Sequence, residues 1–282
     1  MSSPSTLLKA WNLRARKELG QNFLKDLSLA EKIVSLMRIE PDDVVLEIGA
    51  GLGAMTIAAA RRSKTVIAVE KDHHLVPLLR NELLSNGLDH VQVIEKNIMA
   101  VDLHELRAPY ARPFTVIGNL PYNISSQVLI KLIQERSAVR CAALMFQKEL
   151  AERLQATPGS KVYGRLSVLL QYCADIEILR DVRADLFFPK PKVDSTVIRI
   201  DFKPRITPEV CDEKLFIRVI QAAFGQRRKT LRNALAGSLL QLDNAGAAAA
   251  LTTAGIDPRR RAETLSVTEF VKLTDVVAGQ LA

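Results

Sequence analysis

The chain has 282 residues, 48% of them hydrophobic and 25% charged, with a net charge of +8 and an isoelectric point near 9.5. This is the composition of a soluble globular protein, and the length calls for one large and one small domain. The basic surplus suggests a polyanionic partner, nucleic acid first, although solubility alone also accounts for such a charge.

Residues 1–25 read as a basic arm ending in "RKELGQNFLKD". Ser28 and Glu31 form a capping box for a helix through Met37. "VVLEI" is a continuous apolar run before a glycine, the pattern of a buried parallel strand. A helix over Ala54–Arg62, the strand "TVIAVE", a helix around Leu75–Ser85 and the strands "VQVI" and "FTVIGN" follow. A helix over Ile124–Ile133 and the strand "CAALMFQ" continue the alternation, which predicts a doubly wound, mostly parallel α/β sheet. "IEILRDV" and "STVIRIDF" come late without a helix between them and are expected to close one sheet edge, partly antiparallel. The intervening "RADLFFPKPKVD" has two prolines and cannot be a central strand. Beyond Pro208 the pattern turns helical. Phe216, Val219, Ile220, Ala223 and Phe224 form one apolar stripe, and Ser266 with Glu269 caps a last helix carrying Phe270, Leu273 and Val277 inward. The expected organisation is an arm and cofactor-covering segment over 1–25, an α/β domain over 26–204 and a small all-α domain over 205–282.

Cys141, Cys173 and Cys211 make no disulfide or zinc pattern, and the four histidines make no metal signature. No segment reads as a signal peptide or membrane span, so a cytoplasmic location is expected.

"LEIGAGLGAMT" lies between the first strand of the sheet and its helix, where glycines let the backbone approach a ligand and the helix N-terminus supplies free N–H groups. Glu70 ends the next strand about 20 residues beyond Gly49, a position suited to ribose hydroxyls. Gly49, Gly51 and Ala54 satisfy the dinucleotide pattern; Gly49, Gly51 and Gly53 equally satisfy that of S-adenosylmethionine (SAM) methyltransferases. The turn "GNLPY" separates the two. Asn119 at a strand end points into the same crevice, and its carbonyl, with the backbone carbonyl of Leu120 or Pro121, can accept the N–H groups of an exocyclic amine. That aims the amine lone pair at an activated methyl, so positioning rather than a strong base is what the chemistry requires. Tyr122 offers a ring on which an extruded base stacks. The plain alternative is a proline turn whose tyrosine packs in the core.

These segments resemble the rRNA adenine N6,N6-dimethyltransferases, in particular the bacterial small-subunit (KsgA-type) enzymes. The resemblance runs from about residue 14 to 275. It rests on "GQNFL", "EIGAGLGAMT", "VEKD", "GNLPYNIS", "QKELAERL", "YGRLSVLLQY", "FFPKPKVDSTVIR", "FGQRRKTLRN" and "GIDPRRRAETLSV". It implies a Rossmann-like class I SAM methyltransferase with a C-terminal helical domain. It implies that Asn22 and Leu24 belong to a segment folding over the cofactor, and that Gly49, Gly51, Glu70, Lys71, Asn97, Ile98 and Asn119 bind SAM. Tyr122 and Phe187 would sandwich the target adenine; Phe187 has the alternative of a loop hydrophobe tucked under an edge strand. Two residues depart from the family. Ala50 replaces a proline, and Asn97 replaces the acid that receives the cofactor's adenine amino group, so any contact it makes lacks charge assistance.

On the RNA side, Arg227, Arg228, Lys229 and Arg232 are candidate phosphate contacts, with Arg228, Lys229 and Arg232 expected on one helix face. Arg14, Arg16, Lys17, Arg259, Arg260 and Arg261 are further basic candidates. The implied activity is dimethylation of two adjacent adenines in a hairpin near the 3′ end of small-subunit rRNA, within a 30S assembly intermediate; no long exposed apolar stripe demands a dimer, so a monomer is expected. The alternatives are a large-subunit rRNA methyltransferase of the macrolide-resistance type, a non-catalytic RNA-binding assembly factor, and, more distantly, an NAD-dependent oxidoreductase.

Overall fold

A computed structural model describes residues 3–281. The chain divides into two compact units, one of residues up to Ala151 with Ile176–Phe202, the other of Glu152–Asp175 with Lys203 onward.

The first unit opens with helix α1 (Pro4–Ala10), capped by the Ser3 hydroxyl and started by a proline. The basic arm is therefore partly helical, and Leu7 and Leu8 are buried in a small cluster with Phe23, Leu52, Leu75 and Leu78. Strand β1 (Phe23–Leu24) and helix α2 (Leu27–Leu36) follow. The expected Ser28–Glu31 box does not form. Asp26 is the cap instead, accepting the Ser28 N–H at 2.8 Å and the Ser28 hydroxyl at 2.6 Å, which starts the helix before Ser28.

Strands β2 (Val44–Ile48), β3 (Thr65–Glu70), β4 (Gln92–Glu95), β5 (Phe114–Asn119) and β6 (Val139–Gln147) alternate with helices α3 (Ala54–Ala60), α4 (Leu75–Ser85), α5 (Leu103–Arg107) and α6 (Ser125–Gln134). After α7 (Lys148–Gln155), β7 (Ala174–Val182), β8 (Phe187–Phe188) and β9 (Ser195–Phe202) complete the strands of the described residues. The main sheet has the order β4-β3-β2-β5-β6-β9-β7. It is parallel from β4 to β6, and β9 runs antiparallel to β6. All five residues of β2 are buried, as a run covered on both faces must be. Ile33, Val45, Ile57 and Ala143 are among the buried side chains of the larger core cluster. Each large apolar one contributes about 1.5–3 kcal/mol by leaving water.

The order reverses where β2 neighbours both β3 and β5, and ligands of such sheets bind beyond the carboxyl ends there. Above this point β1 pairs antiparallel with β8, Phe23 opposite Phe188 and Leu24 opposite Phe187.

The second unit is helical: α8 (Arg165–Cys173), α9 (Glu213–Gly225), α10 (Leu231–Leu235), α11 (Asn244–Thr253) and α12 (Val267–Leu281). Phe216, Val219, Ile220 and Ala223 are buried as the stripe requires, and Phe224 stacks on Phe270 at 5.8 Å. The Ser266–Glu269 box forms with bonds of 2.8 and 3.2 Å. This unit also takes in Glu152–Asp175, a segment the boundary at residue 204 assigns to the sheet. The reason is aromatic packing: Tyr163 meets Phe224 at 6.2 Å and Tyr172 meets Phe216 at 4.6 Å. No helix of the described residues is long and apolar enough to cross a membrane.

Candidate active site

One cavity opens at the carboxyl ends of β2, β3, β4 and β5, and Asn22, Leu24, Gly49, Gly51, Glu70, Lys71, Asn97, Ile98 and Asn119 all line it. Pro121 lines it too, together with Gly20, Gln21, Phe23 and Glu47. Leu120, Tyr122 and Phe187 are not among its lining residues.

The glycine loop has left-handed backbone at Gly49, Gly51 and Gly53. A Cβ on Gly51 would lie 3.0 Å from the Phe23 ring, so a side chain there would push that ring of the covering segment aside, and the positive φ would strain it besides. The Gly51 N–H donates to Glu70 at 2.8 Å, and the other carboxylate oxygen of Glu70 accepts the Asp72 N–H at 2.8 Å. Burial pushes the Glu70 carboxyl up, against those two backbone bonds.

Glu47, two residues before Gly49, has a carboxyl oxygen that is buried without a partner. Burial first, then the nearby Glu70, pushes its pKa up to about 8. Its place inside the apolar run "VVLEI" hides it in the sequence, where an acid in a strand covered on both faces is the one signal it leaves. The two buried carboxyls beside the loop offer hydrogen-bonding oxygens to a ligand carrying hydroxyls and N–H groups.

The Asn119 amide nitrogen donates to the Asn22 carbonyl at 2.7 Å. A carbonyl only accepts, so this bond fixes which end of the amide is nitrogen and leaves the oxygen as a free acceptor. The Pro121 carbonyl accepts the Ile124 N–H at 3.1 Å and the Ser125 hydroxyl at 3.0 Å, both used in starting α6. Of the two backbone acceptors expected, Leu120 is therefore the one left for a substrate. Tyr122 is half-buried, and its hydroxyl shares a 2.8 Å bond with the Ser195 hydroxyl, which holds the ring from its far end.

Phe187 does not stand opposite Tyr122 as a second stacking face. It is fully buried in the main core cluster, since pairing of β8 with β1 turns residue 187 to the core and leaves half-buried Phe188 against the Phe23 cluster. Asn97 caps a short 3₁₀ turn, its side-chain oxygen accepting the Met99 N–H at 3.1 Å. Asp72, His73 and His74 present ligand-type atoms within 4.8 Å of one another, but Asp72 already accepts from Gln21 and from the His74 N–H.

In the helical unit the basic cluster differs from expectation. α9 ends at Gly225, so Arg227, Arg228 and Lys229 occupy a turn and only Arg232 is helical, in α10. The shared helix face does not exist. Arg227 donates to the Lys161 carbonyl at 2.8 Å and braces the turn, whereas Arg228, Lys229 and Arg232 are exposed. Arg259 and Arg260 are committed to Asp257 and Glu269.

A doubly wound sheet with this loop, acidic strand end and cavity is the fold of a Rossmann-like methyltransferase. The solved dimethyladenosine transferase from Plasmodium falciparum superposes with a TM-score of 0.75 at 25% identity, covering 89% of this chain and 95% of that one. The 23S rRNA methyltransferase ErmE shares the fold with a TM-score of 0.66 at 24% identity, covering 91% and 99%. The model of the ribosomal RNA adenine dimethylase family matches residues 12–278. Ribosomal RNA small subunit methyltransferase A of Desulforapulum autotrophicum is 50% identical over 98% of this chain and 97% of its own. The protein of the same name from Alkaliphilus metalliredigens is 40% identical over 99% and 97%. The chain belongs to the ribosomal RNA adenine dimethylase family and is a methyltransferase.

Proposed function

We propose that the protein transfers methyl groups from SAM to N6 of two adjacent adenines in a hairpin near the 3′ end of small-subunit rRNA, acting as a cytoplasmic monomer on a 30S assembly intermediate. The observation that carries this reading is the Asn119 amide, locked by the Asn22 carbonyl so that its oxygen is free at the mouth of the cavity.

The cavity fits SAM by its donor set: Glu70 for ribose hydroxyls, Asn97 and Ile98 for the adenine end, and the Gly49 loop with the unpartnered Glu47 oxygen for the methionine end. Bound there, SAM supplies an electrophilic methyl on sulfonium. The Asn119 oxygen and the Leu120 carbonyl each accept one N–H of the target amine, which draws its lone pair out of the ring and toward the methyl. SAM held by these residues would give up its methyl to that lone pair and take back the C–S electrons as a neutral thioether, and the surplus N6 proton would leave to solvent. Neither acceptor has to become a strong base; orientation supplies the rate. Tyr122 gives the extruded adenine a face, and the Ser195 bond keeps that ring from turning with it. The exposed Arg228, Lys229 and Arg232 contribute phosphate contacts.

The test is methyl transfer from labelled SAM to undermethylated 30S subunits beside naked large-subunit rRNA. Label in N6,N6-dimethyladenine of the small-subunit RNA is expected. Label only in the large-subunit RNA, or none, would overturn the reading.

A further inference from the structure

Of the segment Arg16–Asn22, residues Glu18–Asn22 form one wall of the cavity, yet none of the segment's residues is buried. It is held by polar bonds at defined points. At one end the Asn22 carbonyl receives the Asn119 amide. At the other end stands Asp72, two residues beyond Glu70, with a side chain only 1% exposed. The Gln21 amide nitrogen donates to Asp72 at 2.7 Å, and the Arg16 guanidinium lies 3.6 Å from its other oxygen. Gln21 is itself fixed, because its amide oxygen accepts the Arg16 N–H at 2.8 Å; both ends of the amide are used and it cannot flip.

The two strand-end acids divide the work. Glu70 takes the Gly51 N–H of the loop below, while Asp72 takes the segment above and gives its own N–H to Glu70. We propose that Asp72 is a positioning residue that latches the segment over the cofactor cavity through Gln21, so that retention of the bound cofactor depends on this bond. The proposal rests on the cavity being the SAM site. A charge-assisted hydrogen bond at a carboxylate shielded from water is strong enough to hold such a segment closed. The Asp72 backbone starts α4 through bonds to the Leu75 and Val76 N–H groups, so the latch is anchored in the main fold rather than in a loop.

Two readouts separate the latch from general damage. The first is the Kd for SAM by calorimetry for the full-length protein, Gln21→Ala, Asp72→Asn and the double variant. Each single change should weaken SAM about tenfold, Gln21→Ala by removing the bond and Asp72→Asn by stripping its charge assistance, and the double variant no more than Gln21→Ala alone, because both act on one bond. The second is limited trypsinolysis without ligand, read by mass at Arg14, Arg16 and Lys17. Both variants should be cut there several-fold faster than wild type while cleavage elsewhere is unchanged. Gln21→Ala leaves the α4 cap untouched and so serves where Asp72→Asn folds poorly. Wild-type Kd and wild-type cleavage in Gln21→Ala would overturn the latch; independent, multiplicative effects of the two changes would overturn the coupling. If wild type itself bound no SAM, the cavity assignment would fall and cofactor retention with it, while the ligand-free cleavage rates would still decide whether the bond holds the segment.

Discussion

The cavity at the strand ends and the basic turn after α9 are both candidates for contact with ligand, and they are built in opposite ways. Around the cavity, the side chains that matter are held: Asn119 by Asn22, Glu70 by Gly51 and Asp72, Tyr122 by Ser195. In the turn, Arg228 and Lys229 are exposed, and among the described residues neither side chain has a hydrogen-bond or ion-pair partner. A site that must aim one lone pair at one carbon needs its groups fixed before the substrate arrives. A surface that must neutralise phosphates gains its affinity from charge and counterion release, and tolerates loose side chains.

The sharpest break in that comparison concerns Phe187, expected at the cavity and found in the core. Phe187→Ala should destabilise the first unit by about 3–5 kcal/mol, measured by urea unfolding, as loss of a fully buried ring does. If the variant is as stable as wild type but inactive, Phe187 works at the substrate after all. Asn119→Ala should lower the methyl-transfer rate on 30S subunits about 10²–10³-fold, the usual scale for losing one preorganised group at a reacting centre, with the fold intact. A loss under about fivefold would mean that the backbone acceptor suffices.

Glu47 tests what a buried acid costs a site whose groups are fixed in advance. Its folded carboxyl keeps its proton up to about pH 8, whereas an unfolded glutamate releases it near 4.5. The folded state therefore holds an extra proton between these limits. The stability this represents is whole below about 4.5 and is lost as pH rises through 8. Glu47→Gln, neutral at every pH, should remove that slope. Without ligand its advantage over wild type should grow by about 2–3 kcal/mol between pH 5 and pH 7, on the scale of 1.36 kcal/mol per unit. Thermal melts across pH 5–8 decide it, and parallel curves for the two proteins would refute it.

The difference between the regions also explains what could be read in advance. The apolar runs "VVLEI" and "FTVIGN" and the glycine loop specify a strand, its end and a turn locally, so Gly49, Glu70 and Asn119 converge where expected. Phe187 was not legible because its direction depends on a two-residue pairing with Phe23–Leu24, more than a hundred residues away in sequence, beside two prolines. Asp26 displaced the Ser28 cap because its carboxylate accepts the Ser28 N–H and hydroxyl, which starts the helix earlier and uses the Ser28 side chain. The stripe of α9 predicted its helix well, and Gly225, which interrupts the stripe, is where the helix ends. The exposed residues after Gly225 carry no apolar period, so the supposed face of Arg228 and Arg232 had no physical support.

In the basic turn, the paired change Arg228→Ala with Lys229→Ala should weaken RNA binding about tenfold at moderate salt. It should reduce the slope of log K against log salt by about 1.5, two phosphate contacts' worth, and leave SAM binding unchanged. A uniform loss with the slope intact would place these residues outside the RNA footprint.

The smallest effect is expected at Asn97, where the family resemblance implies an acid. Its amide oxygen already caps the turn through the Met99 N–H, so one lone pair remains for the cofactor's adenine amino group. An aspartate caps the same turn equally well and brings charge assistance to the remaining contact. Asn97→Asp should therefore leave the melting temperature within a degree or two and tighten SAM a few-fold, less than about 1 kcal/mol. The latch variants shift the same Kd in the opposite direction from the other end of the cavity. Asn97→Asp with Gln21→Ala should thus combine additively, since the two residues share no partner. An unchanged Kd in Asn97→Asp alone would show that the amide already satisfies the adenine as fully as an acid does.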